Sequence, residues 1–258
     1  MFEKNAAPLL CTTVKGGDAD EVIRRMHDLR AQGSDALLLR LEYLLPENRT
    51  EETLRMIFAA VPGCPTYATD YRKFDPYADE SDECKASFLL AAAEAGADLL
   101  DVPGNLFSDD AFELTYDPDA VARQRELIAA IHARGKKVLL STHVDSYLPR
   151  REVLAIAEAQ QARGADVLKI VTVSDTAEQL TDNLETTRLL HETMDSAVLF
   201  LSTGELCRFH RLLGPELGCC MWLATFEEGR KDQPLLSELR PLLDRLALRH
   251  GSPVQRGE

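Results

Sequence analysis

The chain has 258 residues, 45% of them hydrophobic, with 29 Lys and Arg against 43 Asp and Glu for a net charge of −14. That length suits one large α/β domain or two small ones, and an acidic chain without a basic cluster argues against a nucleic-acid groove. No apolar run approaches the roughly 20 residues that cross a bilayer, and the opening MFEKNAAPLLCTTV lacks the layout of a signal peptide, so a cytoplasmic protein with no membrane partner is expected.

The first strand is expected over 8–14 (PLLCTTV), followed by a helix over 18–31 that Asp18 opens. A second strand over 35–41 (DALLLRL) carries Arg40, with Glu42 just beyond, and leads to a helix over 51–60. The third strand, 65–69 (PTYAT), precedes a helix over 80–95. The fourth, 98–102 (DLLDV), holds Asp101 and precedes a helix over 118–134, capped by Asp117 with Pro118 in its first turn. The fifth, 136–142 (KKVLLST), runs into His143, ahead of a helix over 150–163. The sixth, 166–173 (DVLKIVTV), is apolar and β-branched from Val167 to Val173 except for Lys169, and a helix over 175–193 follows. The last two units are a strand over 197–202 (AVLFLS) with a helix over 205–213, and a strand over 219–225 (CCMWLAT) with a helix over 235–249.

Continuous apolar runs bounded by turn residues are strands buried on both faces, as in a parallel sheet. The corners GSD at 33–35 and GAD at 96–98 and 164–166 are near-copies, each joining an alanine-rich helix to a strand, and Gly33, Gly96, Gly135 and Gly164 sit just past helix ends. Eight strand–helix units in this length predict one (β/α)₈ barrel domain over 1–258. An open doubly wound sheet is the alternative, but VKGGDAD after the first strand lacks GxGxxG spacing. The closing GSPVQRGE is the one low-complexity stretch. Cys11, Cys64, Cys84, Cys207, Cys219 and Cys220 show no CxxC or Cys/His ligand spacing, so reduced core thiols and no metal site are expected.

In such a barrel the site forms where the strands end. Lys169 shares a strand face with Val167 and Val171. If that face is the lumen, desolvation lowers the amine from its usual value of about 10.4 and makes it a nucleophile toward ketones. The bland alternatives are a lysine snorkelling to a strand end or one paired with a buried carboxylate. His143, ending the neighbouring strand, converges on Lys169 and suits proton transfer. Arg40 and Glu42 either pair with each other or hold an anionic substrate group, and Arg211 can bind a carboxylate bidentately. His210, Arg208 and His132 are expected to be solvated.

The stretches STHVDSYLP, GADVLKIVTV and STGELCRFHRLLG together resemble type I 3-dehydroquinate dehydratase over essentially the whole chain. The resemblance implies a cofactor-free lyase of the shikimate pathway, forming a lysine imine with a carboxylated ketone and assembling as a homodimer. By it Lys169 is the Schiff-base lysine, His143 the proton-transfer residue, and Arg211 and Arg40 bind the carboxylate or organise the site. Glu42, Arg72, Asp101 and Gln233 join the substrate-binding shell. The chain departs from the pattern at Leu38, where the family has Glu, near Tyr71, where it has Arg, and at Pro103, where a Glu orients the histidine. The loop after the eighth strand, EEGRKDQP, is acidic, with Glu228 and Asp232 or Gln233 near the family's Ser and Gln. A changed recognition shell predicts a changed substrate or rate. Two other readings therefore stand beside the dehydratase: the same imine on another keto acid, and a non-catalytic metabolite-binding barrel.

Overall fold

All eight apolar runs form parallel strands: β1 Leu9–Val14, β2 Ala36–Arg40, β3 Thr66–Thr69, β4 Leu99–Pro103, β5 Lys137–His143, β6 Val167–Val173, β7 Ala197–Thr203 and β8 Met221–Ala224. They alternate with α1 Ala19–Ala31, α2 Glu51–Ala59, α3 Asp82–Ala95, α4 Pro118–His132, α5 Arg150–Ala162, α6 Ala177–Thr193, α7 Cys207–Leu213 and α8 Leu236–Leu246. This computed structural model describes residues 1–72, 80–110 and 112–246. The end of the last expected helix and the GSPVQRGE stretch therefore lie outside the described residues.

The strands pair in the order β7-β6-β5-β4-β3-β2-β1-β8. The chain entering β8 returns to β7 through a Val198–Cys219 bridge and the Cys220 N–H bond to the Val198 carbonyl, 2.8 Å. The fold is thus the expected (β/α)₈ barrel. Alternation along each strand divides the core in two. Leu99, Leu139, Val167 and Leu199 fill the lumen, while Leu100, Leu140 and Leu168 turn outward against helix residues such as Leu89, Ile131 and Val153. Phe2, also in the lumen cluster, plugs the barrel ahead of β1.

Local signals place the corners. Asp18 and Asp117 side chains accept the N–H groups of Glu21 and Ala120, each at 2.8 Å, capping α1 and α4. Gly96 (φ 127°) and Gly164 (φ 99°) adopt left-handed backbone just past α3 and α5, where a side chain would be strained. Five cysteines are buried, Cys84 is exposed, and all six are free thiols. No helix among the described residues is long and apolar enough to cross a membrane.

One surface expectation fails outright. His210 is fully buried on α7, its Nδ1 3.0 Å from the Ser202 hydroxyl and its Nε2 3.0 Å from the Thr187 hydroxyl. Burial, with the Arg211 charge beside it, pushes the imidazole down to about 3. His132 is exposed but paired, 2.8 Å from Asp166 Oδ2. Arg208 is exposed and donates to the carbonyls of Arg230 and Lys231, tethering the loop after β8.

Candidate active site

Register brings Lys169 into the lumen. Ser141 of β5 stands opposite Lys169 of β6 and His143 opposite Val171, so His143, Ser141 and Lys169 share one face. The Lys169 side chain is only 5% exposed. Around its Nζ lie not the aliphatic groups expected from the strand alone but Asp101 Oδ2 at 3.3 Å, the Tyr67 hydroxyl at 3.1 Å and the Tyr71 hydroxyl in short contact. Both tyrosines also donate to Asp101 Oδ2.

The lysine is therefore in the lumen and paired with a buried carboxylate at once. Loss of water around the ammonium is the dominant influence and lowers the Lys169 pKa, with the attraction of Asp101 opposing it. Burial, then the Asp101 charge, raises both tyrosines well above their usual value, which keeps their hydroxyls protonated.

His143, expected from the sequence to lack a carboxylate partner, has one. Glu113 Oε2 lies 2.7 Å from His143 Nδ1 and accepts the His143 backbone N–H at 3.2 Å. The sequence gives little warning of this residue, which sits far from any strand in the 104–117 loop. Gly104 makes the approach possible: a Cβ there would lie 2.5 Å from the Glu113 carbonyl oxygen. Glu113 itself holds φ 50°, a left-handed conformation that costs a non-glycine residue about 1–3 kcal/mol. Arg163 and Gln124 brace the same loop by donating to the Gly104 carbonyl. Fixed on Nδ1, the neutral imidazole presents Nε2 as the free base. Desolvation, reinforced by the Lys169 charge, lowers the His143 pKa against the pull of Glu113. The Tyr71 ring stands perpendicular to the imidazole at 5.3 Å.

His143, Tyr71 and Lys169 open onto a cavity of about 170 Å³ at the C-terminal ends of the strands. Arg211 closes another wall. Its Nε donates to the Ser202 carbonyl at 2.8 Å and Nη2 lies 3.8 Å from Asp232 Oδ2. Nη1 is buried with no hydrogen-bond partner among the described residues. Burial is the main influence lowering this guanidinium's pKa, with Asp232 opposing. A buried donor left unmatched beside a cavity is a place for an anionic ligand.

The remaining expected residues divide. Arg40 lines the cavity but its Nε is bound to Glu42. Glu42 is fully buried beneath it, accepts from Thr69 Oγ1 at 3.2 Å, and is pushed up to about 7 by burial against the pull of Arg40. Gln233 and Asp232 line the mouth, Gln233 accepting from Thr13 Oγ1 at 3.3 Å, whereas Glu228 is exposed and outside the lining. Arg72 is held on Asp82 at the start of α3 and does not line the cavity. Leu38, Leu201 and Leu223 give the cavity an apolar floor.

A family model described as Type I 3-dehydroquinase matches residues 10–250. The chain belongs to that family. It is 25% identical to the 3-dehydroquinate dehydratase of Klebsiella pneumoniae, over 93% of each chain. It is 27% identical to the bifunctional 3-dehydroquinate dehydratase/shikimate dehydrogenase of Arabidopsis thaliana, matching 95% of this chain but spanning 38% of that protein. The match to a 3-dehydroquinate dehydratase of Lactiplantibacillus plantarum likewise spans about half of that relative, 54%. The crystal structure of 3-dehydroquinate dehydratase from Geobacillus kaustophilus superposes with TM-score 0.81 at 18% identity, covering 96% of this chain and 98% of that one. At that identity the superposition establishes the barrel alone. This dehydroquinase-family barrel thus has a lysine in its lumen and a strand-end histidine whose carboxylate partner comes from a loop.

Proposed function

We propose that the barrel dehydrates 3-dehydroquinate through an imine on Lys169. One observation supports this most: a desolvated primary amine and an imidazole base open onto the same cavity as a buried arginine with an unmatched donor. Lys169 Nζ attacks the substrate ketone and expels water to give the iminium, an electron sink for the adjacent C–H bond. His143 Nε2 removes that proton, and the hydroxyl group β to the iminium departs as water with the proton that the imidazolium returns. Hydrolysis of the conjugated iminium frees the enone and the amine. Arg211 holds the substrate carboxylate throughout. The test is borohydride reduction with 3-dehydroquinate present. Mass is expected to accumulate at Lys169, and turnover is expected as growth of enone absorbance; absence of both removes the proposal. The apolar floor of Leu38, Leu201 and Leu223 favours a second reading, the same imine on a keto acid with fewer hydroxyls, since buried hydroxyls need partners. Adducts and turnover across a panel of keto acids separate the two.

Glu113 is proposed as the residue that positions His143. Glu113→Gln keeps a hydrogen-bond acceptor near Nδ1 but removes the charge. We expect kcat to fall about 10²–10⁴-fold, since the carboxylate fixes the tautomer of the imidazole and stabilises the imidazolium that forms. The pH profile separates this from a general loss of structure. Glu113 raises the His143 pKa, so its neutralisation lowers that pKa, the neutral base persists to more acidic pH, and the acid limb of kcat/KM moves downward. An unmoved limb would show that Glu113 does not act through the imidazole.

A further inference from the structure

We infer that the Tyr71 hydroxyl is a catalytic proton relay for imine formation, carrying a proton from the Lys169 ammonium to Asp101 and later back to the departing ketone oxygen. This rests on Lys169 being the imine-forming residue. Three observations carry it. Lys169 Nζ donates to the Tyr71 oxygen, and Tyr71 donates onward to Asp101 Oδ2, a continuous two-bond path in which the hydroxyl is acceptor and donor at once. The direct Lys169–Asp101 contact, 3.3 Å, lies just beyond the usual 2.7–3.2 Å range, so the hydroxyl is the better-connected route. Tyr71 also forms part of the cavity wall, which Tyr67 does not. Of the two hydroxyls on the amine, only that of Tyr71 can also meet a substrate oxygen.

Asp101 is placed to receive the proton. Its Oδ2 takes all three donors, whereas Oδ1 is buried without a partner among the described residues. A carboxylate satisfied on one oxygen only, opposite an ammonium in a dry lumen, is a poorly stabilised ion pair. Moving one proton converts it to a neutral acid and a neutral amine.

The sequence of bonds balances. Tyr71 passes its proton to Asp101 Oδ2 while taking one from Nζ, so the hydroxyl is regenerated and the amine becomes neutral. The freed lone pair forms the N–C bond, and the carbonyl π pair moves onto oxygen. One proton of the cationic nitrogen passes to that oxygen, giving the carbinolamine. The C–O bond then breaks as the nitrogen lone pair forms C=N, and the leaving hydroxide takes the proton that Asp101 returns through Tyr71. Ammonium and ketone have become iminium and one water, and Asp101 is again a carboxylate, now beside the iminium nitrogen.

Tyr71→Phe tests this, because the ring that stands on His143 is retained and only the hydroxyl is lost. Wild-type and variant protein are mixed with 3-dehydroquinate in H₂O and in D₂O, quenched into borohydride at increasing times, and the adduct at Lys169 is quantified by mass. The adduct is expected to form about 10²-fold more slowly in the variant, with near-UV circular dichroism unchanged. The solvent isotope effect on adduct formation is expected in wild type and reduced in the variant. Equal rates of adduct formation overturn the relay, as does a slowed overall turnover with adduct formation unchanged, which would move Tyr71 to a later step. No adduct in either protein removes the imine reading beneath it; a wild-type adduct that Tyr71→Phe matches removes the relay alone.

Discussion

Lys169→Met is expected to lower kcat for dehydration about 10⁵-fold or more, because Lys169 is the one amine among the described residues lining the cavity. That factor corresponds to about 7 kcal/mol of barrier. The effect on stability should be far smaller. Removing one partner of a buried ion pair commonly costs about 3–5 kcal/mol, since the other charge is stranded. Here Asp101 keeps two donors, the hydroxyls of Tyr67 and Tyr71, on Oδ2, and methionine refills the space left between Val167 and Val171. A loss below about 2 kcal/mol in urea denaturation, alongside the loss of turnover, is the expected combination. Unfolding of the variant would mean that the pair is held for stability, and retention of turnover would remove Lys169 from the chemistry.

The same logic of parity explains what the sequence makes legible. Lys169 stands out because it is the one charged residue in a strand that is otherwise apolar or β-branched, and Asp101 is likewise the one charged residue in LLDVP. Strand period and strand order suffice to predict that Lys169 and His143 converge, because β5 and β6 are neighbours in chain and in sheet. The contact between Lys169, Asp101 and Tyr71 is less visible. It spans β6, β4 and the end of β3, and exists only because the sheet closes around a narrow lumen. Glu113 is invisible for a different reason. It reaches His143 through a left-handed backbone and a glycine where any Cβ would lie 2.5 Å from the Glu113 carbonyl oxygen, neither of which leaves a periodic trace.

His210 shows how local pattern can mislead. In CRFHRLL the apolar Phe209 and Leu213 are the natural inward positions, yet both are exposed, while Cys207, His210 and Arg211 are buried. The helix is seven residues long, too short for hydrophobic spacing to set its face. Its orientation follows from what its polar residues reach: the Ser202 hydroxyl and carbonyl on β7 for His210 and Arg211, and Thr187 on α6. Turning the helix this way sets Arg211 into the barrel mouth and leaves two apolar side chains in water. That is a local loss of stability that sets a guanidinium on the cavity wall, a departure from local preference of the kind expected at functional sites.

Arg211→Met should expose this opposition directly, moving affinity and stability in contrary directions. In the unliganded protein Nη1 is buried without a partner among the described residues, and an unsatisfied buried polar group costs about 1–3 kcal/mol. Methionine keeps much of the volume and carries no such group, so the variant should match wild type in urea denaturation or exceed it by about 1 kcal/mol. Binding should move the other way. Losing one side of a buried charge pair costs about 2–5 kcal/mol, so kcat/KM for the carboxylated substrate should fall about 30- to 5,000-fold. Arg211→Lys should recover only part of this, because a single ammonium cannot reproduce a bidentate fork. A ketone lacking the carboxylate supplies the control: its rate of adduct formation at Lys169 should be nearly the same in wild type and Arg211→Met. If that ketone suffers the same loss, Arg211 organises the cavity and does not bind the acid. If stability falls by several kcal/mol, the bond from Nε to the Ser202 carbonyl, and not the orphaned Nη1, dominates what Arg211 contributes to the fold.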